Sequence, residues 1–162
     1  MFPLEIETLA RLLVDEARAR SLRIVTAESC TGGLVAGAIC AIAGASDVFE
    51  RGFVTYSNRA KHELLGVPDD LIADVGAVSE PVARMMAQGA LEASNAHLSV
   101  AITGVAGPGG GTPLKPVGTV HIATARAGEA VRHQAELFLE ETRQGIQLAA
   151  VQAALEALRN RL

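Results

Sequence analysis

A short apolar segment passes directly into a turn of small and hydroxyl residues, and this feature most limits the folds open to the chain. Residues 22–26 are typical of a buried strand, and residues 34–39 are typical of the start of a helix. The turn between them, residues 27–33, has the sequence Ala-Glu-Ser-Cys-Thr-Gly-Gly. Free backbone N–H groups at such a turn lie at the positive end of the helix dipole, which favours a phosphate or an oxyanion.

The rest of the chain continues this alternation of helices and apolar strands, which predicts one α/β domain over residues 1–162. The predicted helices begin near Leu4, Thr31, Asn58, Ser79 and Thr142, and the first four end near residues 20, 43, 66 and 94. Asn58, Ser79 and Thr142 are the predicted N-caps of their helices, and Pro68 is a predicted stop signal. Strands are predicted at 22–26, 49–57, 98–103, 117–125 and 131–139. A turn at 127–129 joins the last two strands as a hairpin, so we expect a mixed sheet.

Composition excludes several functional classes. The net charge of −4 and the aromatic content of 3% argue against nucleic-acid binding. Cys30, Cys40 and the four histidines show no metal-ligand spacing, so no metal is expected. The apolar runs are too short to span a bilayer, and the start of the chain has no secretory pattern, so we expect no membrane partner and a cytoplasmic location.

The residues alone leave the role of Ser29 open. A serine at this turn is either a helix cap or a nucleophile, and nucleophilic attack needs a base. Lys61 is a candidate base if burial and a neighbouring cation such as Arg59 lower its pKa, and otherwise it is a surface lysine. Lowering a lysine pKa from about 10.4 to about 7 takes about 4–5 kcal/mol. Tyr56 either relays a proton or holds substrate, or it is a half-buried strand aromatic.

A glycine-rich loop follows the predicted strand that ends at Thr103. Residues 104–111 (Gly-Val-Ala-Gly-Pro-Gly-Gly-Gly) match neither a Walker loop nor a dinucleotide fingerprint. They form either a phosphate or carboxylate cradle or a surface loop. Arg143 either pairs with a phosphate or is a surface arginine. Cys30 is either a second candidate nucleophile or a small core residue.

Five segments, taken together and in order, resemble the CinA C-terminal domain family over essentially the whole chain. They are residues 26–33 (Thr-Ala-Glu-Ser-Cys-Thr-Gly-Gly), 52–58 with Ala60-Lys61, 76–79, 102–110 and 115–120. The resemblance implies a three-layer α/β/α sandwich with a mostly parallel, mixed central sheet. It also implies hydrolysis of nicotinamide mononucleotide (NMN) to nicotinate mononucleotide and ammonia, without a cofactor or a metal. Homo-oligomers and the stand-alone form of the domain are further expectations from the family.

The family's catalytic serine, tyrosine and lysine fall on Ser29, Tyr56 and Lys61. With these assignments we expect neutral Lys61, alone or together with Tyr56, to take the Ser29 proton, and Ser29 to attack the carboxamide. The predicted oxyanion and substrate-binding residues are Cys30, Thr31, Gly32, Gly33, Thr103, Gly104, Gly107, Gly109 and Arg143. One departure lies at Gln147, where relatives often have a second arginine. The alternative function is a non-catalytic nucleotide- or partner-binding domain linked to competence or DNA damage.

Overall fold

The computed structural model describes residues 1–140 and 142–162. Its helices are α1 (Leu4–Ala19), α2 (Leu34–Cys40), α3 (Asn58–Leu65), α4 (Asp69–Val75), α5 (Glu80–Glu92) and α6 (Arg143–Arg159), with a short 3₁₀ helix at Ala45–Asp47. Its strands are β1 (Ile24–Glu28), β2 (Phe49–Val54), β3 (Leu98–Gly104), β4 (Thr119–Arg126) and β5 (Arg132–Leu137).

The strands form one mixed sheet in the order β2-β1-β3-β4-β5. β1 lies in the middle of a parallel group and pairs with β2 on one side and β3 on the other. β4 is antiparallel to β3, and β5 is antiparallel to β4. The predicted mixed sheet and its terminal hairpin are therefore confirmed.

Two apolar layers cover the two faces of the sheet. Alternate residues along a strand point to opposite faces, so Ile24 belongs to one core and Val25 to the other. The first core joins the sheet to α1, α2 and α6. The second joins it to α3, α4 and α5. The three-layer α/β/α architecture expected from the family resemblance is thus confirmed.

Three local expectations need correction. Pro68 does not only end a helix: it is the N-cap residue of α4, an unpredicted helix whose first turn carries Asp69 and Asp70 at the positive end of its dipole. The N-cap of α3 is Ser57, whose hydroxyl accepts from the Ala60 N–H, and Asn58 is the first helical residue. The helix predicted from residue 31 begins at Leu34, because residues 29–33 form the turn.

The predicted caps of α5 and α6 are confirmed. The Ser79 hydroxyl accepts from the Val82 N–H at the start of α5, and the Thr142 hydroxyl accepts from the Gly145 N–H at the start of α6. Each side chain satisfies one N–H that has no partner within its helix. These caps fix where α5 and α6 begin, next to the edge of the sheet where β1 and β3 end.

A close helix contact sets the position of α3 on α5. A Cβ atom on Gly89 would lie 1.9 Å from the Leu65 carbonyl oxygen, so only glycine permits this approach. We expect Gly89→Ala to lower the free energy of unfolding by about 1–3 kcal/mol, measured by urea denaturation. Gly37→Ala is the matched control, since its nearest neighbour would be the Phe2 ring at 3.6 Å. That helical substitution is expected to stabilise the protein by about 0.5–1 kcal/mol. Equal effects of the two substitutions would contradict the packing argument.

Candidate active site

Ser29 and Lys61, 32 positions apart in sequence, meet in the structure. Ser29 follows β1 directly, and Lys61 lies in the second turn of α3. The Lys61 Nζ atom lies 3.0 Å from Ser29 Oγ and donates to the Thr55 carbonyl oxygen at 2.8 Å. The lysine residue is 1% exposed and Ser29 is 9% exposed. A buried amine in contact with a hydroxyl is the arrangement that a serine nucleophile with a lysine base requires.

Burial lowers the pKa of the Lys61 amine, because removal from water disfavours its charged form. The sequence expectation that Arg59 contributes to this shift is wrong. Arg59 is exposed and pairs with Glu63 one turn along the same helix, with 2.5 Å between Nε and Oε1. Desolvation is the physical cause of the lowered pKa of Lys61.

Cys30, the neighbouring candidate nucleophile, lies in the core. Its residue is 6% exposed, and burial raises the pKa of its thiol to about 12. Thiolate is the reactive form of cysteine, so the Cys30 thiol stays protonated and inert near neutral pH. The structure therefore favours the core interpretation of this side chain.

The N–H groups of the turn are used differently from the sequence expectation. The Gly32 N–H donates to the Ser29 carbonyl oxygen at 3.0 Å. The Gly33 N–H and the Thr31 hydroxyl both donate to Oε2 of Glu28, at 3.1 and 2.7 Å. The proposed oxyanion role of Gly32 and Gly33 is corrected accordingly, because their N–H groups already have acceptors inside the protein.

A cavity of about 290 Å³ opens above Ser29 at the carboxyl ends of the parallel strands. This is where ligands bind in α/β sheets. Nine of the predicted site residues line it: Ser29, Cys30, Tyr56, Lys61, Thr103, Gly104, Gly107, Gly109 and Arg143. Thr31, Gly32 and Gly33 are outside the lining. Sequence reasoning missed further lining residues, namely Asn58, Ala77, Val78, Val105, Ala106 and Gly110.

Arg143 bridges the mouth of this cavity. Its Nη1 donates to the Gly107 carbonyl oxygen at 2.7 Å, and its Nη2 donates to the Tyr56 hydroxyl at 2.6 Å. Tyr56 is 58% exposed, so its ring stands at the rim. Gly107 has φ +74°, and a Cβ there would lie 2.5 Å from Cγ1 of Val117, so glycine is required at this position. Arg143 thus ties the glycine loop to the segment that follows β2.

Thr103 fixes the opposite wall of the cavity. Its hydroxyl donates to the Ala77 carbonyl oxygen at 2.9 Å, and its side chain is buried. The Ser79 hydroxyl donates to the Gly76 carbonyl oxygen at 2.8 Å in the same segment. The backbone of residues 76–78 is therefore held in place beside Ser29 by side chains of the sheet and of α5.

The lining carries one permanent positive charge, on the Arg143 guanidinium. Lys61 and Arg143 are its basic residues, and none of the described residues that form it is Asp or Glu. An anionic group that enters this cavity meets the Arg143 guanidinium without a competing carboxylate in the lining. The site is thus suited to an anionic substrate.

The comparison with known proteins identifies the family. The family model for the CinA C-terminal domain matches residues 6–162. The chain belongs to the CinA C-terminal domain family. A CinA-like protein of Akkermansia muciniphila is 53% identical over 131 residues, which cover 81% of this chain and 32% of that protein. A CinA-like protein of Syntrophobacter fumaroxidans is 45% identical over 151 residues, which cover 92% and 35%. The chain spans about a third of the length of these curated relatives.

Solved structures of the CinA superfamily share the fold. The competence/damage inducible protein CihA of Agrobacterium tumefaciens is 49% identical, with a TM-score of 0.97 over 99% of this chain and 97% of that one. A CinA superfamily protein of Escherichia coli is 39% identical, with a TM-score of 0.91 over 97% and 90%. The family resemblance predicted from the five sequence motifs is confirmed.

Gln147 contacts the turn that carries Ser29. Its side-chain amide donates to the Cys30 carbonyl oxygen at 2.9 Å. It lies four residues after Arg143 in α6, so both side chains leave the same face of that helix. The i, i+4 spacing from Arg143 is the sequence signal that places Gln147 near the cavity.

Within residues 1–140 and 142–162, no group of three or more His, Cys, Asp or Glu side chains gathers in a way that could hold a metal ion. Over the same ranges, no helix combines the length and the apolar character that a membrane crossing requires.

Proposed function

We propose that this chain hydrolyses the carboxamide of NMN and releases nicotinate mononucleotide and ammonia. The observation that carries the proposal is the 3.0 Å contact between Lys61 Nζ and Ser29 Oγ in a buried setting. Burial lowers the pKa of the Lys61 amine and so favours the neutral form that a general base needs. Membership of the CinA family supports the choice of substrate through the resemblance of the motifs.

The proposed reaction proceeds in two steps. Neutral Lys61 accepts the Ser29 hydroxyl proton while Oγ forms a bond to the carboxamide carbon, and the C–N bond then breaks. The proton passes from Lys61 to the leaving nitrogen, and ammonia departs. Water, deprotonated by the same amine, then attacks the ester carbon, and Lys61 returns that proton to Ser29 Oγ as the C–O bond breaks, which releases nicotinate mononucleotide and restores the free enzyme. This division into acylation and deacylation is the general advantage of a covalent nucleophile.

The oxyanion donor is proposed to be the backbone N–H of Cys30. This N–H has no backbone acceptor in the part of the chain that the structure describes, and Cys30 lines the cavity beside Ser29. A preorganised N–H aimed at the developing charge is the usual means of stabilising such an intermediate. It replaces the N–H groups of Gly32 and Gly33, which donate within the turn.

The phosphate of NMN is proposed to bind Arg143 and the glycine loop, where Gly107 and Gly109 line the cavity. Thr103 and Gly104 also line the cavity, and we propose that they contact the ribose. Tyr56, through its hydrogen bond to Arg143, orients the guanidinium at the mouth. A homo-oligomeric state and a cytoplasmic location stay predictions from the family and the sequence.

Purified protein incubated with NMN tests the proposal, with ammonia and nicotinate mononucleotide as the measured products. We expect stoichiometric formation of both. Nicotinamide and nicotinamide riboside serve as comparison substrates, and the lack of a phosphate should make both poorer. NMN binding without turnover would contradict the amidase proposal and favour a nucleotide-binding domain. Turnover of an unrelated amide in preference to NMN would be consistent with the Ser29–Lys61 pair as the catalytic groups, but it would show that NMN is not the substrate.

Replacing Arg143 tests the phosphate contact. We expect Arg143→Gln to raise the KM for NMN about ten- to a hundredfold, because a charge-assisted hydrogen bond contributes about 1.5–3 kcal/mol. The kcat should change less, since the guanidinium lies at the mouth of the cavity, where its hydrogen-bond partners are Gly107 and Tyr56 rather than Ser29 or Lys61. Arg143→Lys keeps the charge and should give an intermediate KM. An unchanged KM in both variants, measured by steady-state kinetics, would exclude this contact.

A further inference from the structure

Glu28 is a buried carboxylate next to the nucleophile, and the reaction as proposed does not use it. It is the last residue of β1 and is 0% exposed. Its Oε2 accepts from the Thr31 hydroxyl at 2.7 Å and from the N–H groups of Gly33 and Val35 at 3.1 and 3.0 Å. Its Oε1 accepts from the Ala36 N–H at 2.9 Å. The carboxylate therefore satisfies N–H groups at the start of α2 that have no partner within the helix.

The backbone of Glu28 fixes the other half of the dyad. Its carbonyl oxygen accepts from the Thr55 N–H at 2.8 Å. The Thr55 carbonyl oxygen in turn accepts from Lys61 Nζ at 2.8 Å. One residue thus links the turn that carries Ser29 to the acceptor that holds the lysine amine.

The Glu28 carboxylate differs from the side chains that cap three other helices of this protein. The helices α3, α5 and α6 are capped by the single hydroxyls of Ser57, Ser79 and Thr142. A buried charge costs free energy through desolvation, and only complete hydrogen bonding offsets this cost. The four donors to Glu28 belong to residues 31, 33, 35 and 36, so the carboxylate holds the second half of the turn after the nucleophile and the first turn of α2.

We propose that Glu28 is a positioning residue for the Ser29–Lys61 pair, whose carboxylate holds the turn after the nucleophile in its reactive geometry. The inference rests on the proposed role of Ser29 as nucleophile, and it is independent of the choice of NMN as substrate.

The test uses a fluorophosphonate probe, which reacts with an activated serine whatever the natural substrate is. Intact-protein mass gives the rate constant for labelling of Ser29, normalised to the folded fraction. We expect Glu28→Gln to lower this rate constant about ten- to a hundredfold, the usual effect of a small misplacement of a reacting group. Ser99→Ala is the matched control, because it removes a buried hydrogen bond to the Ala87 carbonyl oxygen. In Ser99→Ala, Ser29 should be labelled with the rate constant of the wild type.

The pH dependence of the labelling rate constant distinguishes a positioning role of Glu28 from a role in acid–base chemistry. Burial is the cause of the lowered pKa of Lys61, so the midpoint of the labelling rate against pH should stay the same in Glu28→Gln. A normal labelling rate per folded molecule in Glu28→Gln would overturn the proposal, because the carboxylate would then serve stability alone. A shifted midpoint with a normal maximal rate would also overturn it.

A second variant keeps the test decisive if Glu28→Gln does not fold. Thr31→Val removes one donor to the carboxylate and keeps the shape of the side chain. It should lower the labelling rate about three- to tenfold, in line with the loss of a single hydrogen bond. An unchanged rate in this folded variant would count against the proposal. Failure of the wild-type protein to hydrolyse NMN, with labelling of Ser29 intact, would overturn the substrate and leave the role of Glu28 standing.

Discussion

Ser29→Ala is expected to reduce the turnover of NMN by at least about a thousandfold, because loss of a covalent nucleophile removes the whole two-step path. The fold should survive, since Ser29 makes its backbone contacts through its N–H to Ile102 and its carbonyl oxygen to Gly32. Neither contact needs the hydroxyl. Ammonia release from NMN is the measurement, with circular dichroism as the check on folding.

Ser99→Ala is the control for this variant as well. It also removes a buried serine hydroxyl on the sheet, and its hydrogen-bond partner is the Ala87 carbonyl oxygen on α5. We expect it to lower stability by about 1 kcal/mol and to keep the turnover number. Turnover by Ser29→Ala within a few-fold of the Ser99→Ala rate would show that another group attacks the carboxamide.

Lys61→Met is expected to reduce turnover by a similar factor, at least about a thousandfold. When residues act as one catalytic unit, removal of either one costs about as much as removal of both. Methionine is unbranched, flexible and close to lysine in length, so it should fill the buried space that the Lys61 side chain occupies. The protein should fold, with the Thr55 carbonyl oxygen left without its donor from Lys61. Turnover that persists in this variant would exclude the lysine as the base.

The same variant has a predicted effect on stability against pH. The folded pKa of Lys61 is lowered, so between that value and the unfolded value of about 10.4 the unfolded chain binds the proton and the folded chain does not. The free energy of unfolding of the wild type therefore rises with pH through this window, and below the folded pKa the contribution is constant. Lys61→Met lacks this slope. Urea denaturation at several pH values in this window measures the free energy of unfolding of both proteins. If that free energy changes with pH in the same way in the wild type and in Lys61→Met, the lowered pKa is contradicted.

The sequence allowed much of the site to be predicted because its parts follow strand ends. Ser29 follows β1 and Thr103 lies near the end of β3, and parallel neighbours end at the same edge of the sheet. Local patterns show where such strands end. The family motifs then assigned Lys61 and Arg143, whose positions on α3 and α6 depend on long-range packing.

Other parts of the site could not be predicted from local patterns. The N–H groups of the turn looked free for an oxyanion because nothing in the sequence shows that the Glu28 side chain folds back onto them. The lowered pKa of Lys61 comes from burial, which is a property of the packed structure. Arg59 is a neighbour in sequence, but it turns outward to Glu63 and has no part in the shift.

The missed helix α4 has a simple physical reason. Pro68 follows a predicted helix end, where proline is typical, yet proline is equally suited to the start of a helix, where its missing N–H costs nothing. Asp69 and Asp70 follow it in the first turn, where acidic residues are stabilised by the dipole. A proline followed by two acids is therefore better treated as the beginning of a helix.

The dependence of kcat/KM on pH, measured with NMN and corrected for uncatalysed decay, tests the central claim most directly. If neutral Lys61 is the base for Ser29, kcat/KM rises with pH through a single ionisation below the usual lysine pKa of about 10.4. Tyr56→Phe should keep that rising limb, because the tyrosine hydroxyl contacts Arg143 at the mouth. A kcat/KM that is flat or falls over this range, or a rising limb that disappears in Tyr56→Phe, would contradict the Ser29–Lys61 dyad.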